Sequence, residues 1–482
     1  MSCVPFVYEN GGSDPLKSVG ESMVRLILAT LDTSIVPSPL NVMQSALNLL
    51  AGMGSVFPYA IQVEIPSLGH LYANLQDFCL HLSPSVQCQL YTALAHNVLS
   101  TGLSVASFSS LVTPVLTSVV ESVVTMQQNA QRVLEPALLA QLMRDISICR
   151  ALARVVLTKP KQVKLSFYSQ MHGVLPYTLD AVRVYMNVLP QCPPSQLSSA
   201  VGAIHDLIGF YSDLFRSIRK ELPTDVVGAT VTTLVELFQH GQFASKLEAL
   251  GAPGTAVLCA FLKLLRILVE EYSPTLAGLL HSILDLCFNT LHEVIFAHQH
   301  YDTVVPFFIA LMEEILENHY RYFVTTQTTF DASGQRQKVF TSDAAGQYFM
   351  MILQAIGTIL QQESIPPPLC KQIVVALERL QSSHNIFHFV AFKSQVRMAY
   401  LHTLLTLLTR GRVGLLQEEL GLLLYHIADV DMPSFFHECL PQFVGDGGAD
   451  SLQCWTGQVD EPTFVKELGH FLIDFRVGHA RQ

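Results

Sequence analysis

Apolar residues recur along this sequence at steps of three and four, in one segment after another, and short Pro- or Gly-marked breaks separate the segments. That period is the spacing of one helix face. Val304, Phe307, Phe308, Leu311, Met312 and Ile315 form one stripe, with Glu313, Glu314, Glu317 and Arg321 off it. Val257, Leu258, Phe261, Leu262, Leu265 and Val269 form a second, whose solvent side carries Lys263, Arg266 and Glu270. Val227, Val231, Leu234 and Phe238 form a third. A fourth runs through Phe464, Leu468, Phe471, Leu472 and Phe475, leaving Lys466, Glu467, His470 and Asp474 outside.

The breaks have the chemistry of helix starts. Ser38-Pro39, Ser83-Pro84 and Ser273-Pro274 each offer an N-cap hydroxyl and a proline for the first helical position, where a missing N–H leaves nothing unpaired. Thr224-Asp225 after Pro223, and Pro366-Pro367-Pro368, mark further boundaries. No series of alternating strands and no Asn-Gly hairpin stands between apolar runs. Thr325 to Lys338, a polar stretch with Asp331-Ala332-Ser333-Gly334, is expected to form an exposed loop. So is Gly445 to Val459, which holds the only tryptophan, Trp455.

The count comes to roughly 18 helical segments. Short connections make neighbours antiparallel, and a series of amphipathic pairs buries its stripes by stacking each pair on the next. The expected fold is therefore all-α, an α-solenoid of HEAT-like antiparallel helix pairs running through residues 1–482. TPR and ankyrin signatures are not found.

Composition agrees. A chain of 482 residues exceeds one ordinary core, and 50% apolar against 14% charged residues can bury a large one. The net charge of −11 gives no electrostatic footprint for nucleic acid and suits a partner with a basic face. The ten cysteines are scattered singly without a C-x-x-C, mostly among Leu, Ile and Phe, as expected of buried free thiols in a reducing compartment. Met1 to Asn10 has no signal-peptide pattern. The mean hydropathy is +0.36, and Pro39–Val63 and Thr101–Val120 carry no charge. Both are broken by polar residues, so repeat helices rather than membrane insertion are expected.

Motifs for chemistry are missing: no phosphate loop, no dinucleotide fingerprint and no nucleophile elbow. His292-Glu293, His298 and His300 lack metal-ligand spacing and are read as a helix end. His437-Glu438-Cys439 sits in an apolar segment and is read as packing. Glu270-Glu271 and Glu313-Glu314 are adjacent, so they do not face each other as an acid–base pair would. Glu313, Glu314 and Glu317 form an acidic patch on one helix, either a solvated face or a partner-facing surface. The basic triplets Lys159, Lys161, Lys164 and Arg216, Arg219, Lys220 are local, and the second falls in a helix's last turn, where cations offset the carbonyl dipole. No catalytic, metal or cofactor site is expected, and the chain is read as a binding protein, not an enzyme.

Asp431-Met432-Pro433-Ser434-Phe435-Phe436-His437-Glu438-Cys439-Leu440-Pro441-Gln442-Phe443 resembles the acidic–x–F-F–x–x–L-P–x–F ending of exportins. Glu317-Asn318-His319-Tyr320-Arg321-Tyr322-Phe323 and Phe471-Leu472-Ile473-Asp474-Phe475-Arg476 resemble segments of the same group. Their order and spacing are most similar to the C-terminal part of exportin-6-like receptors, in the importin-β superfamily. The resemblance implies a nuclear export receptor that moves between nucleus and cytoplasm and contacts FG nucleoporins. Its implied cargo is actin–profilin, carried with Ran-GTP. The family's N-terminal Ran-binding repeats have no counterpart here, so the expectation is a C-terminal portion, with Ran bound by the full-length protein. A HEAT-repeat scaffold unrelated to transport is the alternative.

Overall fold

The computed structural model describes residues 13–32, 39–57, 62, 64–100, 105–129, 132–240, 243–297, 301–330, 336–411, 414–445 and 460–479. They are almost wholly helical, as the stripes require, and divide into two units, Met1–Thr275 and Leu276–Gln482.

In the first unit the longer helices are α1 (Ser13–Leu31), α2 (Leu40–Val56), α3 (Pro84–Ser100), α4 (Val105–Gln128), α5 (Pro136–Val156), α6 (Lys161–Met171), α7 (Leu175–Val188), α8 (Pro194–Ile218), α9 (Thr224–His240) and α10 (Phe243–Glu271). Helices α2, α3, α5, α8 and α10 pack side by side in one layer. Helices α4, α7 and α9 pack successively in the other, and α1 packs against α2. This is the stacked-pair arrangement of an α-solenoid. Layer helices have neighbours on several sides, so they bury more than one stripe. On α10, Leu264, Ile267 and Leu268 are buried along with the six residues of the stripe, while Lys263, Arg266 and Glu270 stay exposed. Phe238 of α9 stacks on Phe261 with ring centroids 3.7 Å apart. Gly251, with φ +56, makes the bend within α10 just before Pro253.

The second unit repeats the plan. Its longer helices are α11 (280–297, with a π-helical turn at Leu286–Leu291), α12 (Tyr301–Asn318), α13 (Asp343–Leu360), α14 (Pro367–His384), α15 (Arg397–Arg410), α16 (Gln417–Asp429), α17 (432–444, with a π-helical turn at Phe435–Cys439) and α18 (Glu461–His479). Helices α12, α14, α16 and α18 form one layer. Helix α13 meets α15, which also touches the π turn of α17, and Phe288 of α11 lies 6.3 Å from Tyr348 of α13 in the opposite layer.

Two expectations need correction. Thr325 to Lys338 is not a plain loop but a β-hairpin, with β1 (Val324–Phe330) antiparallel to β2 (Arg336–Phe340) and Thr326 opposite Lys338. Val-Thr-Thr-Gln-Thr-Thr-Phe is rich in β-branched residues, which favour extended backbone, and the threonine hydroxyls made the run look like a polar loop. Residues 331–335, and Asp446 to Val459, lie outside the described residues. Ser273 does not cap a helix; it lies within the one-turn helix Ser273–Leu276. Ser38 is outside the described residues, and α2 begins after Pro39. Side-chain caps are made instead by Ser342, which accepts from the Ala345 N–H, and by Asp431, which accepts from the Ser434 N–H.

Two helical stretches, Phe108–Gln128 and Leu250–Glu271, are long and apolar enough to cross a bilayer. Both are helices of the stacked layers, and 67% of the more apolar window is buried within its unit. The described cysteines are all free.

Candidate partner-binding surface

The three carboxylates Glu313, Glu314 and Glu317 lie on α12. The structure brings Glu313 and Glu317 against α14, while Glu314 is buried and bonded within α12. Arg379 Nη1 is 3.3 Å from Glu313 Oε1, and its Nε is 4.0 Å from Glu317 Oε1. Ser383 Oγ donates to Glu317 Oε1 at 2.9 Å, and His384 Nε2 lies 3.7 Å from Glu317 Oε2. Glu314 is 7% exposed and accepts from Asn318 Nδ2 at 2.8 Å. Arg379 and Ser383 each lie 66 positions beyond their glutamate, and Gln372 lies the same distance beyond Pro306, to whose carbonyl it donates. A constant offset is the register of two parallel helices one repeat apart.

The contacts continue across the layer. Glu378 of α14 meets His426 Nδ1 of α16 at 2.8 Å, and His426 Nε2 lies 3.9 Å from Glu461 of α18. Lys371 and Glu419 add a 3.8 Å pair between α14 and α16. These rungs align successive pairs. With Arg379 half exposed, its pairs stabilise by no more than about 1 kcal/mol.

Basic residues in the first unit are used in the same way. Arg150 Nη1 meets Asp206 at 2.7 Å and its Nε meets Asp213 at 3.0 Å, joining α5 to α8. A Cβ on Gly209 would fall 2.5 Å from the Arg150 guanidinium carbon, so glycine lets this arginine lie across α8. Lys161 pairs with Glu221 at 2.8 Å and Arg219 with Glu271 at 3.1 Å, which ties one member of each basic triplet to an acid. Arg219 Nε also donates to the Arg216 carbonyl at the end of α8, the C-terminal placement expected.

His292 opens the last stretch of α11 and stacks on Phe296 at 4.3 Å, and burial lowers its pKa. His298 and His300 lie outside the described residues. Among the described residues no group of three or more His, Cys, Asp or Glu is placed to hold a metal. Cys439 is buried and its thiol is pushed up to about 11, the opposite of an activated nucleophile.

The segments that carry the family resemblance are packing elements. Asp431 caps α17, and Arg397, 4% exposed at the start of α15, donates to the Asp431 carbonyl at 3.0 Å and to Ser434 Oγ at 2.8 Å. Phe435 is buried 5.7 Å from Phe464, and Phe443 stacks on Phe475 at 5.6 Å. Arg476 donates to the Leu408 and Thr409 carbonyls in the last turn of α15. His319 is 6% exposed, its Nε2 has no hydrogen-bond partner among the described residues, and burial lowers its pKa.

A histidine whose folded pKa is depressed stays neutral while the unfolded chain takes up a proton. Stability from this site is therefore lost as pH falls below about 6.5, until the folded pKa is reached. Urea midpoints of His319→Phe and the parent sequence should diverge on acidification, with the variant losing less. Equal slopes would rule out this contribution.

The family model described as "Exportin-6, C-terminal TPR repeats" matches residues 316–478. That description says TPR where the sequence suggests HEAT-type pairs; both are stacks of antiparallel helix pairs. Mouse exportin-6 is 29% identical over 278 residues, covering 56% of this chain and 24% of the relative. Exportin-6-A of Xenopus laevis is 27% identical over the same length and coverage. Exportin-6 of Dictyostelium discoideum is 19% identical over 466 residues, covering 91% of this chain and 40% of the relative. The chain thus spans less than half the length of these curated relatives. Taken with the paired-helix stacking within each unit, these matches show the chain to be exportin-6-like.

Proposed function

We propose that this chain is the C-terminal portion of a nuclear export receptor that binds protein cargo and has no catalytic activity of its own. The observation that carries the reading is the family match over residues 316–478, which falls on the stacked pairs from the end of α12 to α18. The cargo is actin–profilin, bound with Ran-GTP by the full-length protein, which moves between nucleus and cytoplasm through contacts with FG nucleoporins. No nucleic-acid contact and no membrane insertion is part of the cycle. The net charge of −11 supports a cargo with basic patches, where complementary charge speeds association and selects partners. Repeat arrays supply affinity by wrapping a large surface, with no covalent step.

The test is retention of purified actin–profilin on the immobilised full-length parent and on this chain, each with and without Ran-GTP. Retention by the parent should rise on adding Ran-GTP. If neither protein retains the cargo under either condition, the cargo assignment is lost. If FG-repeat peptides also fail to bind the parent, the scaffold reading replaces transport.

A further inference from the structure

Lys161 and Arg219 are each paired with an acid, which leaves two members of each basic triplet. Lys159, Lys164, Arg216 and Lys220 make no ion pair among the described residues. The fold gathers all four on one edge of the first unit. Helix α6 packs against the end of α8 and the turn Arg219–Glu221, and Lys161 reaches Glu221 across that contact. Lys164, Leu165 and Tyr168 follow Lys161 by three, four and seven positions, so they share its helix face. Burial, and then the charge of Asp225 at the start of α9, raise the Tyr168 pKa, which sets that face beside the chain from Glu221 to Asp225. Arg216 follows Asp213 by three positions, and Asp213 is held by Arg150 and Arg154, so Arg216 stands level with the C-terminal end of α5. Lys159 lies just past that end; burial, and then Lys159, lower the pKa of His96 on α3.

The two stretches that form this edge, 154–164 and 216–225, carry seven cations and two carboxylates, on a chain whose net charge is −11. Asp213 and Glu271, reaching in from outside those stretches, engage Arg154 and Arg219 and leave the surplus in place. Helix ends account for Arg216, in the last turn of α8, but not for the lysines of α6. Helix α6 starts with Lys161, has Lys164 one turn on, and has no acid in its first turn. Cations there oppose the helix dipole, and Glu221 offsets Lys161 alone. The turn beside them is strained: Arg219 has φ +55, a region that favours glycine, and its own side chain is engaged by Glu271 and the Arg216 carbonyl. Leu165, 40% exposed, sets an apolar contact among the cations.

We infer that this edge docks an acidic segment of a protein partner, whose carboxylates meet Lys159, Lys164, Arg216 and Lys220 and whose apolar side chain meets Leu165. Discrete carboxylates suit the edge better than a nucleic-acid backbone. Glu221 and Asp225 interrupt the cations, four unpaired cations are a small footprint for phosphates, and the net charge repels a long polyanion. The reading stands apart from the transport proposal, because it rests on the first unit alone and asks for a partner of the opposite charge to the proposed cargo.

The experiment is fluorescence anisotropy of a fluorescein-labelled Glu-Asp-Glu-Leu-Asp-Glu-Glu peptide titrated with the full 482-residue chain. The peptide should bind at about 50 mM salt and at least about fivefold more weakly at 300 mM. The same peptide with Gln and Asn in place of its acids should bind at least about tenfold more weakly. Lys159→Gln, Lys164→Gln and Lys220→Gln combined should weaken binding by about tenfold, with thermal melting unchanged because none of the three is paired in the fold. A charge-matched control, Lys371→Gln, Lys393→Gln and Lys466→Gln in the second unit, should bind as the parent does. Equal weakening in the two triple variants would reduce the effect to net charge and overturn the proposal. So would equal affinity for the neutral peptide, or no binding up to about 1 mM chain. A labelled single-stranded DNA oligonucleotide binding more tightly than the acidic peptide would make the edge a phosphate site and overturn it too.

Discussion

Phe349→Ala is expected to destabilise the second unit by about 3–5 kcal/mol, the range for deleting a buried aromatic ring whose site cannot collapse. Phe349 of α13 is fully buried. Its ring centroid lies 5.7 Å from Phe389, 5.8 Å from Phe323 and Phe340, and 6.4 Å from Tyr320. Those four rings come from three connections: the turn after α12, strand β2, and the segment after α14. One side chain therefore joins two successive helix pairs and holds the hairpin against α13. Gly346 shows how close that approach is, since a Cβ there would meet the Phe340 ring at 2.7 Å. Lys338 of β2, on the same strand face as Phe340, adds a further tie, donating to the His384 carbonyl at 2.7 Å. Removing the Phe349 ring should free the hairpin locally as well as lower the urea midpoint. Trypsin cleavage after Lys338 should become faster at urea concentrations well below the midpoint. Phe349→Leu, which keeps most of the volume, should cost less than half as much. A loss below about 1 kcal/mol for the alanine variant would mean that the cluster does not hold these connections together.

The part of this fold that was legible in the sequence is the part set by apolar spacing. The stripes Val257 to Val269, Val227 to Phe238 and Phe464 to Phe475 are buried as expected, except for Phe475, which is half-buried. Periodicity understated the burial, because it finds the best face of a helix while a layer helix is covered from several sides. Phe307, placed in a stripe, is only half-buried, whereas Glu314, placed outside it, is buried. The hairpin was missed because Thr325 and Thr326 are polar by composition and β-formers by shape. The glutamates of α12 show a different limit. Their charge and shared helix are visible in sequence, but Arg379 and Ser383 lie 66 positions on, on the neighbouring helix of the same layer, one repeat away. Connections of unequal length hide that register, so a patch bound by its neighbour looks the same in sequence as one awaiting a partner. The exportin-like segments were legible as a pattern, and Phe435, Phe464 and Phe471 explain why: they are core positions that fix how the last pairs meet.

Arg397→Ala is expected to cost about 2–4 kcal/mol, through an arginine that sits where its charge is poorly placed for its own helix. Arg397 is the first residue of α15, and a cation at a helix N-terminus opposes the dipole. It is also 4% exposed, so solvent does little to offset that cost. The compensation comes from the far side of the next helix. The guanidinium donates to the Asp431 carbonyl, just beyond the C-terminus of α16, where positive charge is favoured, and to Ser434 Oγ in the first turn of α17. The 3.6 Å pair with the Asp431 carboxylate adds little, because that carboxylate is 52% exposed and screened. Asp431→Asn keeps the cap and the carbonyl, and should cost under about 1 kcal/mol. Arg397→Met separates charge from packing: it retains the apolar stem but removes the charged donor to the Ser434 hydroxyl and to the Asp431 carbonyl, which keeps only the Phe435 N–H at 3.2 Å. If the donated hydrogen bonds are what matter, methionine should fall close to alanine in urea unfolding. If it instead matches the parent sequence, Arg397 serves as filler, and the junction of α15, α16 and α17 is held by Phe435 and its neighbours alone.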